Sequence, residues 1–498
     1  MLLKNLFAGG RAARSALEQR IAAADAAGDL ADAIAARRAL LELAPRDAAT
    51  WVALAERLRR DGQLAPAASA YEQALDCGAP PGPVLLQLGA IRHELEDFPA
   101  AQQAFSRLVA LEPANADAWC MLGVVGKDQG RYAEAMAHFD KALQLQPAFA
   151  EAFFNLGLTQ FELGQLAEAS RSFLRCVELR RGAPWTGDLA LPLQKDPQPV
   201  LEPMDMGVNE VKLRHDCEQF EYLLQNRLLP PAYERVLQDY RALLAELRGQ
   251  VDENSLAGFD AQRHPLVART YKRPVYISAA GVPPAGIINL ELDFEAIQDR
   301  YLAAQPNVLA LDNLLTADAL AAMRRFCRES TIWNNIKPGY LGAYAYDGFC
   351  SELLLRLAWD LRAHLPRVIR DHPLKMMWGF KCDASLPGLA VHADEAAVNV
   401  NFWITEDEAN LEPEGGGLQV YEHVAPRDWD FRRFNHDPAV IQQYLASVGS
   451  APTRYPYRAN RALIFDSDLF HATDRPRFRE GYLNRRINIT LLYGNRLI

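Results

Sequence analysis

The sequence predicts a multidomain protein that has an all-α solenoid of helical repeats at its N-terminal end and a β-rich domain with flanking helices at its C-terminal end. Three observations support this prediction. The chain has 498 residues, which is more than one hydrophobic core normally organises. Small and apolar residues recur with a fixed period in the first third. After residue 375 the sequence changes to short β-branched and aromatic runs separated by Gly and Pro turns.

Composition and charge narrow the classes of function. Half of the residues are hydrophobic and 23% are charged, which is the balance of an ordinary globular protein. The net charge of -10 repels nucleic acid and anionic membranes, so we expect neither as a partner. The seven cysteines never form a CxxC pair, which favours a reducing compartment. Because no signal peptide and no run of ~18 apolar residues is evident, we expect a cytoplasmic protein.

The repeats of the first third have a period of 34 residues, the length of a helix–turn–helix unit. Alanine recurs where two helices must approach closely, and an aromatic residue recurs where it fills the groove to the next unit. Proline recurs where the second helix must end, because proline has no N–H for the helical ladder. The leucine, alanine and aromatic series are Leu54, Leu88, Leu122 and Leu156; Ala33, Ala67, Ala101, Ala135 and Ala169; and Tyr71, Phe105, Phe139 and Phe173.

One segment of this region carries a nearly complete repeat signature. It consists of W-x2-L-G from Trp119, followed by Ala135, Phe139, Ala142 and Pro147. At these positions it resembles the tetratricopeptide repeat (TPR), and about five such units extend to residue 183, the first of them degenerate. The resemblance implies a TPR solenoid over 1–183 whose concave groove holds a protein or peptide partner. The alternative is a scaffold or dimerisation element that has no ligand of its own.

Between the repeats and the β-rich region the sequence predicts a linker and a helical bridge. Residues 184–206 are rich in proline, which indicates a semi-rigid spacer. Residues 207–307 return to helical patterning, and Pro231 is expected in the first turn of a helix there. Residues 308–498 form the last predicted domain, which begins with a buried strand at 308–315 and a helix capped by Thr316. No chemical motif is evident before residue 370.

Three residues of the last domain have the pattern of a metal site. His392 and Asp394 are two apart, so on an extended strand their side chains point to the same side. His471 directly follows the predicted strand RALIFDSDLF. Two neutral imidazoles and one carboxylate on one face are the ligands of non-haem Fe(II) sites, which leave coordination positions open. The polar insertion at 422–457 accounts for the long separation between Asp394 and His471 without disturbing the barrel.

An arginine on the last strand has the pattern of an anion site. Arg486 and Thr490 share one face of RINITLLYG, and a buried arginine is costly unless an anion meets it. The planar guanidinium suits a carboxylate held by two parallel hydrogen bonds. Arg485 is the rival for this role, but only Arg486 has the parity of Thr490. The glycine turn at 415–417 leads into a strand where the backbone must pass close to a neighbour or a ligand.

Taken in order, these features resemble the prolyl-4-hydroxylase-like branch of the 2-oxoglutarate/Fe(II)-dependent oxygenases. The resemblance rests on HxD at 392–394, GGGL at 415–418, His471, and Arg486 with Ile489 and Thr490. It implies a double-stranded β-helix, the jelly-roll or cupin-like fold. It also implies O2 as oxidant, Fe(II) bound by His392, Asp394 and His471, and 2-oxoglutarate held at its distal carboxylate by Arg486 with support from Thr490. The remaining cosubstrate-pocket residues would be Asn399, Asn401 and Trp403.

The chain departs from this family at one position and leaves the substrate open. The family often has a tyrosine shortly upstream of HxD, where this chain has Cys382 and Asp383. Halogenating relatives have a small residue at the carboxylate position, so Asp394 favours hydroxylation. We expect a dioxygenase that hydroxylates a protein or peptide recruited by the repeats. The alternatives are a hydroxylase of a small molecule, with repeats used for assembly, and a non-catalytic repeat scaffold or sensor.

Overall fold

The computed structural model describes residues 2–183, 185, 207–249, 255–337, 339–369, 371–382 and 389–496. All of the predicted linker 184–206 except Trp185 lies outside the described residues, and so does Asp383. The chain forms two compact units, Met1–Thr159 and Gln160–Ile498.

The first unit is a series of helix pairs. Its close contacts are the ones that the repeat pattern predicts: a Cβ added to Gly123 would lie 2.5 Å from the ring of Phe139, and one added to Gly89 would lie 2.6 Å from Phe105. Glycine is therefore required where the aromatic residue of each unit enters the groove. The helices are α1 (Leu2–Ala27), α2 (Leu30–Leu43), α3 (Ala48–Arg60), α4 (Leu64–Asp76), α5 (Pro81–Glu94), α6 (Phe98–Leu111), α7 (Ala116–Asp128), α8 (Tyr132–Leu145) and α9 (Ala150–Glu162), whose last three residues belong to the second unit.

The second unit contains eight further helices among the described residues. Helix α12 begins at Tyr233, so Pro231 precedes the helix instead of lying in its first turn: the turn closes through the Pro230 carbonyl, which accepts from the Tyr233 N–H at 3.0 Å. Thr316 caps α15 as predicted, accepting from the Ala319 N–H at 3.2 Å. The helices are α10 (Leu166–Arg181), α11 (Glu210–Gln225), α12 (Tyr233–Leu247), α13 (Pro265–Thr270), α14 (Phe294–Ala303), α15 (Ala317–Glu329), α16 (Glu352–His364) and α17 (Pro438–Ser447).

The last helix of the predicted repeat array, α10, packs inside the second unit. Arg181 Nε donates to Asp347 Oδ1 at 2.9 Å, and both side chains are buried. At the end of α9, Glu162 accepts from Arg362 at 2.7 Å and from the backbone N–H of Leu374 at 2.9 Å. The repeat pattern reaches residue 183, but its final helix is packed with the sheet domain because of these buried polar contacts.

Two antiparallel sheets form the rest of the second unit. The large sheet has the strand order β1-β8-β5-β10-β4-β3-β2, and the small sheet has the order β7-β6-β9. The predicted strand at 308–315 is shorter than expected, because Asn313 adopts a φ of 59° after it. The strands are β1 (Val308–Leu311), β2 (Asn335–Lys337), β3 (Tyr340–Tyr344), β4 (Leu374–Cys382), β5 (Val398–Trp403), β6 (Leu418–Val424), β7 (Pro452–Tyr455), β8 (Ala462–Asp466), β9 (Leu469–Thr473) and β10 (Ile487–Tyr493).

The register of the large sheet separates a polar face from an apolar one. Residues directly opposite each other share a face, and Thr490 lies opposite Asn401 on one side and Trp378 on the other. This inner face also carries Leu463 and Phe465 of β8, which pack in one cluster with residues of β6 and β9. The polar face of the large sheet is therefore turned toward the small sheet. The opposite, outer face is apolar and buried at Val398, Val400, Phe402, Ile489 and Leu491.

Candidate metal centre

The three predicted metal ligands converge at one point. His392 forms an antiparallel bridge with His471, whose two backbone hydrogen bonds measure 3.0 and 2.8 Å. The Nε2 atoms of His392 and His471 lie 3.7 and 3.5 Å from the carboxylate oxygens of Asp394. All three ligand atoms lie within 4.8 Å of one another, the only such group of three or more His, Cys, Asp or Glu in the described part of the chain.

The backbone sets the protonation of both imidazoles. Nδ1 of His392 faces the carbonyl of Ala390 at 2.9 Å, and Nδ1 of His471 faces the carbonyl of Leu469 at 3.0 Å. A carbonyl only accepts, so each Nδ1 carries the proton and each Nε2 presents a lone pair toward Asp394. Burial lowers the pKa of His392, which favours the neutral imidazole that binds metals.

Asp394 is held as a carboxylate. Burial acts to raise its pKa, but the neighbouring His471 and His392 imidazoles and a hydrogen bond from Asn399 act against burial, and the pKa of Asp394 is lower than usual. The Asn399 Nδ2 donates to Oδ2 at 2.8 Å. The side chain of His392 is 21% exposed, against 4% for His471 and 10% for Asp394. Solvent therefore reaches the triad from the His392 side.

Arg486 lies on the same inner face and is 2% exposed. Its Nε donates to the carbonyl of Gly416 at 2.6 Å, and its guanidinium lies 5.7 Å from the ring centre of Trp403. No acidic side chain pairs with it among the described residues. The neighbouring Arg485 points to the outer face, where it donates to Glu218 of α11 at 2.9 Å. The structure thus places Arg486, and not its rival Arg485, beside the polar face.

A row of buried polar groups separates Asp394 from Arg486. Thr490 Oγ1 accepts from Asn401 Nδ2 and from Asn488 Nδ2, both at 3.1 Å. Its own hydroxyl hydrogen is then available to an anion. The Oδ1 atoms of Asn399, Asn401 and Asn488 and the Nε1 of Trp403 are buried and have no partner among the described residues. An unpaired buried polar group costs roughly 1–3 kcal/mol. The Trp403 Nε1 and the Thr490 hydroxyl could donate to an anionic ligand beside Arg486, whereas the three amide oxygens are acceptors and need a donor.

Sequence reasoning missed a wall of aromatic residues on β3 and β4, which we call the aromatic wall: Tyr340, Tyr344, Trp378 and Phe380. Tyr340 and Phe380 have ring centroids 4.6 Å apart, and Tyr344 and Trp378 6.0 Å apart. Burial, together with the charge of Asp394, raises the pKa of Tyr344 to about 12. The sequence signal for this wall is the alternation Tyr-x-Gly-x-Tyr at 340–344, which precedes the chemical motifs after residue 370.

The position of Tyr340 bears on the missing family tyrosine. Tyr340 lies directly opposite Cys382 in the β3–β4 register and on the inner face. Burial is the main cause that raises its pKa, and the charge of Asp394 adds to it. A phenol therefore stands beside the place where the upstream tyrosine was expected, but a different strand supplies it.

The glycine turn before β6 is required by a neighbouring strand. A Cβ added to Gly417 would lie 1.9 Å from the carbonyl oxygen of Tyr455. Gly416 has a φ of 74°, a conformation that favours glycine. The sequence left open whether a neighbour or a ligand required the close approach; the neighbour is Tyr455, and the carbonyls so positioned receive Arg486.

Comparisons with known proteins support the repeats. Two family models match: one described as a tetratricopeptide repeat over residues 87–148 and one described as a TPR repeat over residues 127–180. The N-terminal region is therefore a TPR-type helical solenoid, and the C-terminal region is an antiparallel sheet domain. None of the curated proteins matches the chain. No described helix combines the length and the apolar character that crossing a bilayer requires.

Several solved structures are similar over the N-terminal region. The MamA protein is 23% identical over 34% of this chain and 92% of its own, with a TM-score of 0.32. A MamA fragment from Desulfovibrio magneticus RS-1 is 17% identical over 34% of this chain and 94% of its own, also at 0.32. YrrB, a TPR protein with an unusual peptide-binding site, is 22% identical over 32% of this chain and 82% of its own, at 0.30.

Proposed function

We propose that this protein is an Fe(II)- and 2-oxoglutarate-dependent dioxygenase, a hydroxylase whose substrate is a protein or peptide recruited by the repeats. The observation that carries the proposal is the triad of His392, Asp394 and His471 on the same face as Arg486, a buried arginine that has no acidic partner among the described residues. A metal ion would bind the triad, and a carboxylate would pair with Arg486. A five-carbon dicarboxylate has a carboxylate for Arg486 at one end and a 2-oxo acid group for the metal at the other.

Each pocket residue has a distinct part in this proposal. His392, Asp394 and His471 would bind the metal through Nε2, a carboxylate oxygen and Nε2. Arg486 and the Thr490 hydroxyl would bind the distal carboxylate. Asn399 and Asn401, with the Nε1 of Trp403, would line the space between, where their unpartnered atoms lie. From residue 399 to residue 403 strand β5 advances about 13 Å, which is the order of length that a metal-bound, hydrogen-bonded dicarboxylate spans.

The chemistry itself belongs to the bound groups. When bound, Fe(II) and 2-oxoglutarate reduce O2 so that one oxygen atom enters succinate, with release of CO2, and the other enters a C–H bond as hydroxyl. The chain would exclude water from this reaction by burying the side chains of Asp394 and His471, which are 10% and 4% exposed. The aromatic wall would orient the substrate at the more open His392 side.

The fold is consistent with this proposal. We propose that the large and small sheets are the two sheets of a double-stranded β-helix, since residues on the inner face of β5 and β8 pack in one cluster with residues of β6 and β9. In this arrangement the small sheet contributes His471, and the loop before β5 contributes His392 and Asp394.

The repeats support a polypeptide substrate. Repeat arrays form extended surfaces that bind other chains, and the first unit has a groove of about 450 Å³ whose apolar lining includes Leu41, Trp51, Leu54 and Leu58. We place the protein in the cytoplasm, because the scattered cysteines suit a reducing compartment. We assign it no nucleic-acid or membrane partner, since its charge repels both.

Succinate release tests the enzymatic proposal. We expect the full chain with Fe(II), 2-oxoglutarate and O2 to release succinate, and His392→Ala to abolish this release. His138→Ala is the matched control, because the side chains of His138 and His392 are both 21% exposed. Turnover that persists in His392→Ala contradicts the proposal. Tight Fe(II) binding by the wild type without any consumption of 2-oxoglutarate favours the non-catalytic sensor instead.

A truncation separates a protein substrate from a small-molecule one. The deletion must end at residue 149, because Phe161 packs on Trp359 at 5.8 Å and Glu162 binds Arg362 inside the second unit. A protein hydroxylase without its recruiting repeats loses +16 Da products on captured proteins but still binds metal and 2-oxoglutarate. Unchanged product formation by residues 150–498 supports a small-molecule substrate, with repeats used for assembly.

A further inference from the structure

The loop 392–394 carries two of the candidate metal ligands, and each of its three residues forms a backbone hydrogen bond with a neighbouring segment. His392 exchanges two backbone hydrogen bonds with His471 of β9. The Asp394 N–H donates to the carbonyl of Ser467 at 3.2 Å, in the turn between β8 and β9. Between them, Ala393 is fully buried and is held by neither segment. Its partners come from the insertion 422–457.

Two adjacent residues of the insertion satisfy both backbone groups of Ala393. The Ala393 N–H donates to the carbonyl of Phe434 at 3.0 Å. Its carbonyl accepts from Asn435 Nδ2 at 2.7 Å. Ala393 is 0% exposed with the amide in place, so loss of the amide removes the hydrogen-bond partner of its carbonyl. The peptide groups on both sides of Ala393, which lead to His392 and Asp394, are therefore oriented from outside the loop.

The insertion is itself fixed to the strand that carries His471. Phe434 belongs to a buried cluster with Trp429 and Phe470, and Phe470 is the residue before His471. The guanidinium of Arg496 lies 4.5 Å from the centre of the Phe434 ring and donates to Asp468 at 2.5 Å, at the start of β9. One buried cluster thus includes Phe434, the residue before Asn435, and Phe470, the residue before His471. The segment that holds Ala393 is therefore also packed against the strand of the third candidate ligand.

The local backbone of the insertion is irregular where it meets Ala393. Residues Arg432–His436 form one turn of π-helix. This conformation is rare in proteins overall, and where it occurs it is often at a functional site. This turn presents the Phe434 carbonyl and the Asn435 side chain side by side. The sequence predicts only that the insertion leaves the barrel undisturbed; the structure shows that it also forms contacts with the metal-ligand loop.

We propose that Asn435 is a positioning residue of the metal centre: its amide fixes the Ala393 peptide so that His392 and Asp394 meet His471 with the geometry of a metal site. The insertion is then part of the metal centre. This inference rests on the proposed function only in requiring that the triad binds a metal ion. Mutation of a residue that orients a metal ligand from outside typically lowers metal affinity about 10–100-fold.

Metal titration of the full chain tests the proposal. Co(II) is added without 2-oxoglutarate, and its d–d absorption reports affinity and ligand geometry. We expect Asn435→Ala to weaken Co(II) binding about 10–100-fold and to alter the absorption spectrum. Asn435→Gln keeps the amide and is expected to restore part of the affinity. Asn289→Ala is the control, because Asn289 Nδ2 also donates to a backbone carbonyl, at 3.2 Å, far along the chain from the loop.

Hydrogen exchange of the metal-free protein gives a second readout. We expect faster amide exchange over residues 389–397 in Asn435→Ala than in the control, and similar melting temperatures. If Asn435→Ala does not fold, Asn435→Asp replaces it, since this variant keeps the size of the side chain and removes the donor. Equal Co(II) affinity and equal exchange in the variant and the control overturn the inference while the metal site stands. A wild type that binds no metal overturns both this inference and the proposed function.

Discussion

Two neighbouring arginines just before β10, Arg485 and Arg486, have opposite surroundings. Arg485 lies on the outer face and has an acidic partner, Glu218. Arg486 lies on the inner face and is 2% exposed, and its guanidinium contacts the carbonyls of Gly416 and Gly417, the Cys382 sulfur and the ring of Trp403 but no described acidic side chain. On the outer face the buried Lys381 is also satisfied within the protein, since its Nζ donates to the carbonyl of Cys327 and to the hydroxyl of Tyr482.

The comparison shows how binding groups differ from structural ones in a buried sheet. A buried cation that has its counter-charge inside the fold stabilises the fold, and removing its partner is costly. Under the proposed function, a buried cation that has no acidic partner in the described structure, beside further unpaired polar atoms, receives its counter-charge from a ligand. The outer face thus stabilises the sheet, while the inner face is the one that we propose binds a ligand.

The largest effect that the comparison predicts is at the metal. We expect His471→Ala to weaken Fe(II) binding by more than the roughly 100-fold upper range of outer-shell changes, because it removes a ligand. Anaerobic Fe(II) titration measures this, with His138→Ala as control. Fe(II) affinity within tenfold of the wild type would show that the inner face is not a metal site.

A smaller effect is expected at the two arginines. Removing one side of a buried, hydrogen-bonded charge pair costs roughly 2–5 kcal/mol, so Arg486→Gln should weaken 2-oxoglutarate binding about 30-fold or more. Arg485→Gln should leave this affinity unchanged and lower the melting temperature, because Glu218 loses its partner. Calorimetric titration of the metal-loaded protein and thermal unfolding measure the two. The reverse pattern would exchange the roles of the two arginines.

Thr490 should contribute less than Arg486. A neutral hydrogen bond is worth roughly 0.5–1.5 kcal/mol, so Thr490→Val should weaken 2-oxoglutarate binding about threefold to tenfold, with Fe(II) binding unchanged. The same calorimetric titration measures it. An affinity equal to that of the wild type would mean that the Thr490 hydroxyl serves Asn401 and Asn488 only.

The smallest effect concerns a third arginine, Arg496, which pairs with Asp468. Burial is the main cause that raises the pKa of Asp468 from 3.8 to about 6. Between these values the folded protein binds more protons than the unfolded chain, so the stability contributed by Asp468 increases as the pH falls through 6 toward 3.8. Because the substitution also leaves Arg496 without its partner, the prediction concerns the pH dependence: the stability of Asp468→Asn relative to the wild type should fall as the pH is lowered from 7.5 to 4.5. Thermal unfolding against pH measures it, with the exposed Asp371→Asn as control; parallel profiles would contradict it.

The sequence predicts the residues of the candidate metal centre because they lie close together in the sequence or on one strand. His392 and Asp394 are two residues apart, and the parity of Arg486 with Thr490 follows from strand geometry alone. The contribution of Tyr340 depends on the pairing of β3 with β4, and sequence periodicity does not reveal which strands pair. Asn435 lies in a segment that has no periodic pattern, so its contact with Ala393 is visible only in three dimensions.

The end of the helical repeats also depends on tertiary contacts that the sequence pattern does not reveal. The 34-residue period continues through α10 because its residues still suit a repeat helix, and a family model matches as far as residue 180. Its packing within the second unit depends on Arg181 meeting Asp347, a contact over more than 160 positions of sequence. Local pattern determines the type of an element, whereas the unit to which it belongs is a tertiary property.

The attachment of Glu162 has a consequence for recombining this protein with others. Glu162 accepts from the backbone N–H of Leu374, the first residue of β4, and Arg181 pairs with Asp347 just after β3. The final helix pair of the array is therefore fastened to the two strands that bear Tyr340, Tyr344, Trp378 and Phe380. A chimera that replaces the repeats with those of another protein should place its junction upstream of Ala150. The oxygenase-like domain then keeps the contacts of Glu162 and Arg181 with these strands.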